Sequence, residues 1–382
     1  AGNDRLGWIL PAIFWTALAV GILIKGPVNL MVVGLAALTV SILERSGRWL
    51  LALRPLAGIA WLFVIVLPWF IAIYARVGTA FFVGALGHDM LAKVASAQEA
   101  HGAPPGLYFL LFFATFYPGS ILAALAAPAV WRVRREPAAK FLLAWLVPSW
   151  IVFELVVTKL PHYVLPLYPA IAILISGAVE SKVLSQRPWL VRGAVWWFIA
   201  PILISVAIVT LAIVLAHDPA FPAWPFFALA MVCGLFAWLL YQPDGAELSM
   251  VRVTIGGVLL SIGVFSITLP WLRPVFPSVT LANILHHANC ADPVAASAGY
   301  EEPSLVFLAG TNTRLTDASS AADFLRQGSC RFAFIEARQE RVFALRAEAI
   351  GLRYERGPSV QGYNIATGKP IDVSVFQSTA GQ

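Results

Sequence analysis

A polytopic α-helical membrane protein, with a bundle of about nine transmembrane helices and a small C-terminal α/β domain, is the fold class predicted by three observations. Of the 382 residues, 59% are hydrophobic and only 12% are charged. Ordinary soluble domains hold about 45–50% apolar and about 25% charged residues, and a lipid-facing surface accounts for the difference. The apolar residues gather in long runs that end near Leu272. The charge is also uneven: residues 1–272 carry 16 Lys/Arg and 10 Asp/Glu, whereas residues 273–382 carry 10 of each. The basic excess therefore belongs to the membrane part, which argues against nucleic acid as a partner and names the lipid bilayer instead. Residues 1–272 read as the membrane domain and 273–382 as a water-soluble one. The chain opens with AGND, without Met, and enters an apolar run almost at once. A fragment whose N-terminal part is absent is expected.

Nine apolar stretches read as spans. They are Gly7–Ile24, Val28–Leu43, Leu56–Tyr74, Pro105–Val130, Phe141–Thr158, Tyr163–Val179, Ala194–Ala216, Trp224–Tyr241 and Val253–Trp271. The second is short for a span. Pro68, Pro118, Pro148, Pro166 and Pro169 fall inside spans, where prolines are tolerated and mark kinks. Arg45, Arg48, Arg54, Arg132, Arg134, Arg135, Lys140, Lys182, Arg187 and Arg192 follow helices two, four and six. Alternation puts them on one face, which the positive-inside rule makes cytoplasmic. Lys25, Arg76, Lys93 and Lys159 fall at the other face. The chain leaves helix nine on that outer face, which places the C-terminal domain in the periplasm and the helices in a bacterial inner membrane.

The tail alternates strand-like and helix-like runs. PVAASA, SLVFLAG, CRFAFIE and IDVSVFQ predict strands, and Ala318–Gln327 and Gln339–Ile350 predict helices, together a small α/β domain. Cys290 and Cys330 each precede a strand. An oxidising compartment is compatible with a disulfide between them, and two free thiols remain equally open. Cys233 reads as a small apolar residue inside a helix.

Three outer loops carry the unusual polar residues. Lys25-Gly26-Pro27 sets a lone cation beside the N-terminus of helix two, where backbone N–H groups are free and favour an anion; a snorkelling lysine is the plain alternative. The loop 76–105 collects His88, Asp89, Lys93, Gln98, Glu99 and His101, without spacing that marks a metal site. Lys159-Leu160-Pro161-His162-Tyr163 joins helices five and six with almost no slack. Glu154 lies one turn deeper, and an ionisable residue there reads as functional, with Lys25 as its expected cationic partner. Helices two, four and six all begin at this face, so three positive dipole ends gather with Lys25 and Lys159. An anion held at the outer membrane surface, such as a polyprenyl phosphate, accounts for the grouping. A transporter or flippase for a lipid-linked or anionic solute is the alternative. Transporters concentrate such groups near the midplane, between repeats, and no internal repeat is visible here.

KGP after a hydrophobic helix, GHDMLAKVASAQEAHGAPPGLYF (Gly87–Phe109), KLPHYVLPLYPAIA (Lys159–Ala172) and VQGYNIATGKPIDVSVF (Val360–Phe376) resemble the bacterial lipid-A aminoarabinose-transferase-like enzymes, relatives of the protein O-mannosyltransferases. The resemblance implies a GT-C fold and a glycosyltransferase using a polyprenyl-phosphate-linked sugar donor. It implies a periplasmic acceptor, with lipid A, another glycan or protein all open, and transfer with inversion. It implies that Lys25 and Tyr163 contact the lipid phosphate, and that His101 is a metal-site histidine for a divalent ion. The remaining metal carboxylate and the catalytic Asp would sit in a first periplasmic loop that this chain lacks, so no base is named and the fragment alone is expected to be inactive. Lys25, Glu154, Lys159, His162 and Tyr163 are the candidate substrate-binding residues.

Overall fold

The computed structural model describes residues 3–83, 102–365 and 367–378. By internal contacts the chain forms two compact units, Ala1–Ala200 with Met231–Gly257 and Pro201–Ala230 with Val258–Gln382.

Each of the nine apolar stretches is helical. The membrane helices are α1 (Asn3–Lys25), α2 (Val28–Leu43), α3 (Pro55–Val77), α4 (Leu107–Thr115), α5 (Ser120–Arg132), α6 (Pro137–Leu155), α7 (Tyr168–Glu180), α8 (Trp196–Ala216), α9 (Trp224–Leu239) and α10 (Tyr241–Ser261). Among the described residues seven helices, counted with their helical extensions, are long and apolar enough to cross a membrane, or eight if α4 and α5 form one span; α2 is a shorter apolar helix. The protein is a multi-pass membrane protein. Large apolar side chains such as Leu56 and Leu110 stand exposed on its helices, as a lipid-facing surface requires.

One expected rod is broken. The stretch Pro105–Val130 bends by 115° between α4 and α5. Pro118 supplies the cause, because it lacks an N–H and its ring clashes with the preceding turn. In lipid the freed carbonyls need other donors, and two tryptophans at the start of α8 provide them. Trp196 Nε1 donates to Phe113 O at 2.9 Å and Trp197 Nε1 to Pro118 O at 3.0 Å. Trp197 is fully buried. Its own carbonyl accepts from the Tyr117 hydroxyl at 3.1 Å. Across from it, a Cβ added at Gly234 of α9 would stand 2.1 Å from Trp197 O. A glycine is required there because the two helix backbones touch.

In the second unit α10 runs on as a π-helix, Ile262–Thr268. Thr268 Oγ1 donates to Gly263 O at 2.8 Å, and the Phe227 ring fills the space a Gly263 side chain would need.

The C-terminal domain is a five-stranded sheet between two helical layers. The strands are β1 (Val294–Ala298), β2 (Arg314–Leu315), β3 (Arg331–Glu336), β4 (Tyr354–Tyr363) and β5 (Pro370–Ser378), in the order β2-β1-β3-β5-β4. β1 lies parallel to β2 and β3, and β5 runs antiparallel to both β3 and β4. Alternate residues face opposite layers. Ala333 and Ile335 of β3 pack with Phe324, Phe343 and Ala347, whereas Phe332 and Phe334 pack with Leu281, Leu285 and Leu305. The predicted helices appear as Ala318–Leu325 and Glu340–Ala349. A disulfide joins Cys290 to Cys330, tying the approach to β1 to the approach to β3.

SLVFLAG, predicted as a strand, is instead the helix Pro303–Ala309. Pro303 suits a first helical turn, and Gly310 at φ 109° ends it. Leu305 is buried while Phe307 is 85% exposed, a one-sided pattern that a seven-residue apolar run does not reveal.

Candidate functional site

The KGP segment is a tight helix-to-helix hinge. Lys25 is the last residue of α1, and a cation in a last turn meets the negative end of the helix. Gly26 takes φ 65°, which only glycine adopts freely. Its N–H bonds back to Ile22 O at 2.9 Å. Pro27 is the N-cap of α2, one position earlier than its predicted place in the first turn. The exposed Lys25 thereby comes just ahead of α2, whose first amides have no helical acceptor.

KLPHY forms a second rigid joint. Pro161 opens a 3₁₀ segment, Pro161–Leu167, that leads into α7. A run containing Pro161 and Pro166 has few backbone states to choose among. The His162 and Tyr163 rings meet edge to face with centroids 4.9 Å apart. Lys25 Nζ lies 5.6 Å from the Tyr163 ring centroid. The structure thus brings Lys25, His162 and Tyr163 together, from two distant segments.

Glu154 and Lys159 do different work from the one expected. The Glu154 carboxylate, expected to meet Lys25, accepts from Gly106 N at 2.8 Å and Phe109 N at 3.0 Å. It caps the N-terminus of α4, so one of the three positive helix ends expected to be open already holds an anion. Lys159 is 5% exposed. Its ammonium donates to Ala103 O at 3.1 Å and to Val156 O at 2.5 Å. Val156 is the C-cap of α6, so the charge sits at the negative end of that helix. Beside it Gly102 and Thr158 form an antiparallel bridge, and Ala103 N donates to Val157 O at 3.3 Å. Glu154 and Lys159 together clasp the entry of α4 to the exit of α6. A buried ammonium is costly unless its donors are met, which explains why Lys159 lies where carbonyls converge.

His101 lies outside the described residues, as do His88, Asp89, Lys93, Gln98 and Glu99. Among the described residues no group of three or more His, Cys, Asp or Glu side chains is placed to hold a metal ion. Sequence reasoning missed Trp196 and Trp197, the donors that satisfy the α4–α5 break. Two adjacent tryptophans opening a span, opposite a Pro-Gly interruption, are the signal that could have found them.

No family model matches the chain. The undecaprenyl phosphate-alpha-4-amino-4-deoxy-L-arabinose arabinosyl transferase of Pseudomonas aeruginosa (strain UCBPP-PA14) is 29% identical over 243 residues, 62% of this chain and 43% of that protein. The protein of the same name from Enterobacter sp. (strain 638) is 29% identical over 178 residues, 46% of this chain and 32% of that one. The chain spans less than half the length of these curated relatives. The crystal structure of ArnT from Cupriavidus metallidurans bound to undecaprenyl phosphate has a TM-score of 0.66 at 18% identity, covering 98% of this chain and 70% of that one. Its apo state gives 0.62 at 19% identity, over 98% and 69%. The sequence relatives bear the name of the family that the motifs resemble, and this chain has the fold of the solved ArnT structures, the GT-C kind.

Proposed function

We propose that this chain is part of a membrane glycosyltransferase that moves a sugar from a polyprenyl-phosphate donor to a periplasmic-side acceptor such as lipid A. The observation that carries the reading is the meeting of Lys25 with Tyr163 and His162 beside the start of α2. In such a transfer an acceptor oxygen attacks the anomeric carbon, and the bond from that carbon to the phosphate oxygen breaks. Negative charge grows on the departing lipid phosphate. Fixed donors aimed at that charge lower the barrier, each worth about 10²–10³ in rate. The Lys25 ammonium, the Tyr163 hydroxyl, the His162 ring and the free amides of α2 are donors of that kind. Glu154 and Lys159 act one step back, holding α4 and α6 so that the KLPHY joint keeps its depth. The role of His101 rests on the motif alone.

In this reading residues 1–272 form the membrane domain in the inner membrane, and residues 273–382 form a periplasmic domain. The names of the curated relatives specify an aminoarabinose carried on undecaprenyl phosphate, which supports that donor class here. The test is mass spectrometry of lipid A and surface glycans from cells with the protein, without it, and with its Lys25→Ala variant. A sugar addition present only with the wild-type protein is expected; identical glycans in all three overturn the reading.

A further inference from the structure

The tail motif Val360–Phe376 is not used by the phosphate reading, yet two of its segments, 361–363 and 370–372, build a wall of a cavity. Within the second unit a groove of about 570 Å³ opens where the end of α8, the turn after the last membrane helix and one end of the sheet meet. Its polar lining is His217, Glu336, Arg338, Gln361, Tyr363 and Asp372. Three of the six come from the motif, at the end of β4 and the start of β5. Gly362 between them has a structural reason: a Cβ there would stand 2.4 Å from Pro274 O, so glycine lets β4 close on the turn that bounds the groove.

We propose that this groove is a saccharide-binding site, taking a sugar with neighbouring hydroxyl groups. The lining alternates acceptors with donors rather than gathering one charge. Gln361 Nε2 donates to Asp372 Oδ2 at 3.2 Å. That amide orients the Asp372 carboxylate at the groove wall. Arg338 Nε meets Glu336 Oε1 at 3.1 Å, which neutralises the one arginine of the lining and disfavours a phosphate. Carboxylates, an amide, an imidazole and a phenol in a pocket of this volume suit a ligand that both donates and accepts. The glycosyltransferase reading gives the site its role, recognition of a sugar-bearing acceptor, but binding stands without it. The same sugar chemistry could be offered by a glycolipid headgroup or by a soluble glycan.

The test uses the whole chain in nanodiscs with two probes, chitobiose in solution and lipid A incorporated in the disc. Ligand-observed NMR and titration read the affinity for each. Binding of at least one probe is expected. It should weaken at least tenfold in Gln361→Ala with Asp372→Asn, at unchanged melting temperature. Gln361→Ala alone, at an exposed position, is the variant least able to disturb folding and should weaken binding several-fold. Preference for the disc-borne probe supports a glycolipid source, and preference for chitobiose a soluble glycan. Neither probe binding, or folded variants binding as tightly as wild type, overturns the site. Saccharide binding without any sugar transfer would remove the proposed reaction and keep the groove. Transfer with an unmoved acceptor KM in the folded variants would do the reverse.

Discussion

Lys25 Nζ stands 5.6 Å from the centre of the Tyr163 ring, although 138 positions separate the two in the chain. One residue ends α1 and the other lies in the 3₁₀ approach to α7, so the contact joins the approaches to two helices. A cation over a tyrosine face is worth about 0.5–1 kcal/mol when exposed, too little to hold the bundle together. The pair is therefore better placed to serve a ligand than to serve stability. Lys25→Met is expected to lower sugar transfer about 10²–10³-fold while moving the melting temperature little. Wild-type turnover in reconstituted membranes would remove Lys25 from the site.

The clasp makes the opposite prediction. Glu154→Ala removes the α4 cap, and such losses cost about 0.5–2 kcal/mol. Lys159→Ala removes charge-assisted hydrogen bonds worth about 1.5–3 kcal/mol each. Both variants should melt lower in detergent, and the double variant should lose less than the sum, because the two residues brace the same junction. Strict additivity would show that they act separately.

Backbone contact at Gly234 predicts a steric failure. Gly234→Leu would drive a side chain into Trp197 O, and α8 and α9 could not approach. Membrane insertion should survive, whereas the detergent-solubilised variant should elute as aggregate in size-exclusion chromatography. Trp197→Phe tests the neighbouring polar debt: it leaves Pro118 O without its indole donor, at about 1–3 kcal/mol, read as a lower melting temperature.

Acid sensitivity in the C-terminal domain is expected at the cap of the helix Ala318–Leu325. Hydrogen bonds from the Ser319 hydroxyl and from the Ser320 amide and hydroxyl hold the Asp317 carboxyl well below the usual carboxylate range. A depressed folded value means the stabilisation is complete above the unfolded value of about 3.9 and is lost as pH falls toward the folded one. The melting difference between wild type and Asp317→Ala should therefore be constant above about pH 5 and shrink below about pH 4. A difference that does not change with pH would count against the charged cap.

The Cys290–Cys330 disulfide closes a loop with a sequence separation of 40 residues. Replacing both cysteines with serine is expected to cost about 2–4 kcal/mol, seen as a lower melting temperature in non-reducing buffer. Equal melting would indicate that the surrounding core holds that loop closed unaided.

Composition and hydropathy by themselves determined that the chain is a multi-pass membrane protein, where its helices lie, and that an α/β domain follows them. Lipid imposes one rule along every span, so local apolarity suffices to find the spans. Motif likeness was also local: KGP and KLPHY are short segments whose glycine and prolines dictate the backbone. What only the tertiary structure decided is which polar groups find each other. Glu154 was expected to face a lysine and instead caps α4; Lys159 was expected to stand open and is buried among carbonyls. In a medium without water every polar group takes the nearest partner that packing supplies, and that partner is set by helices far apart in sequence. The SLVFLAG helix and the groove behind Gly362 share that origin, since an apolar run of seven residues or a lone glycine acquires its meaning only from what packs against it.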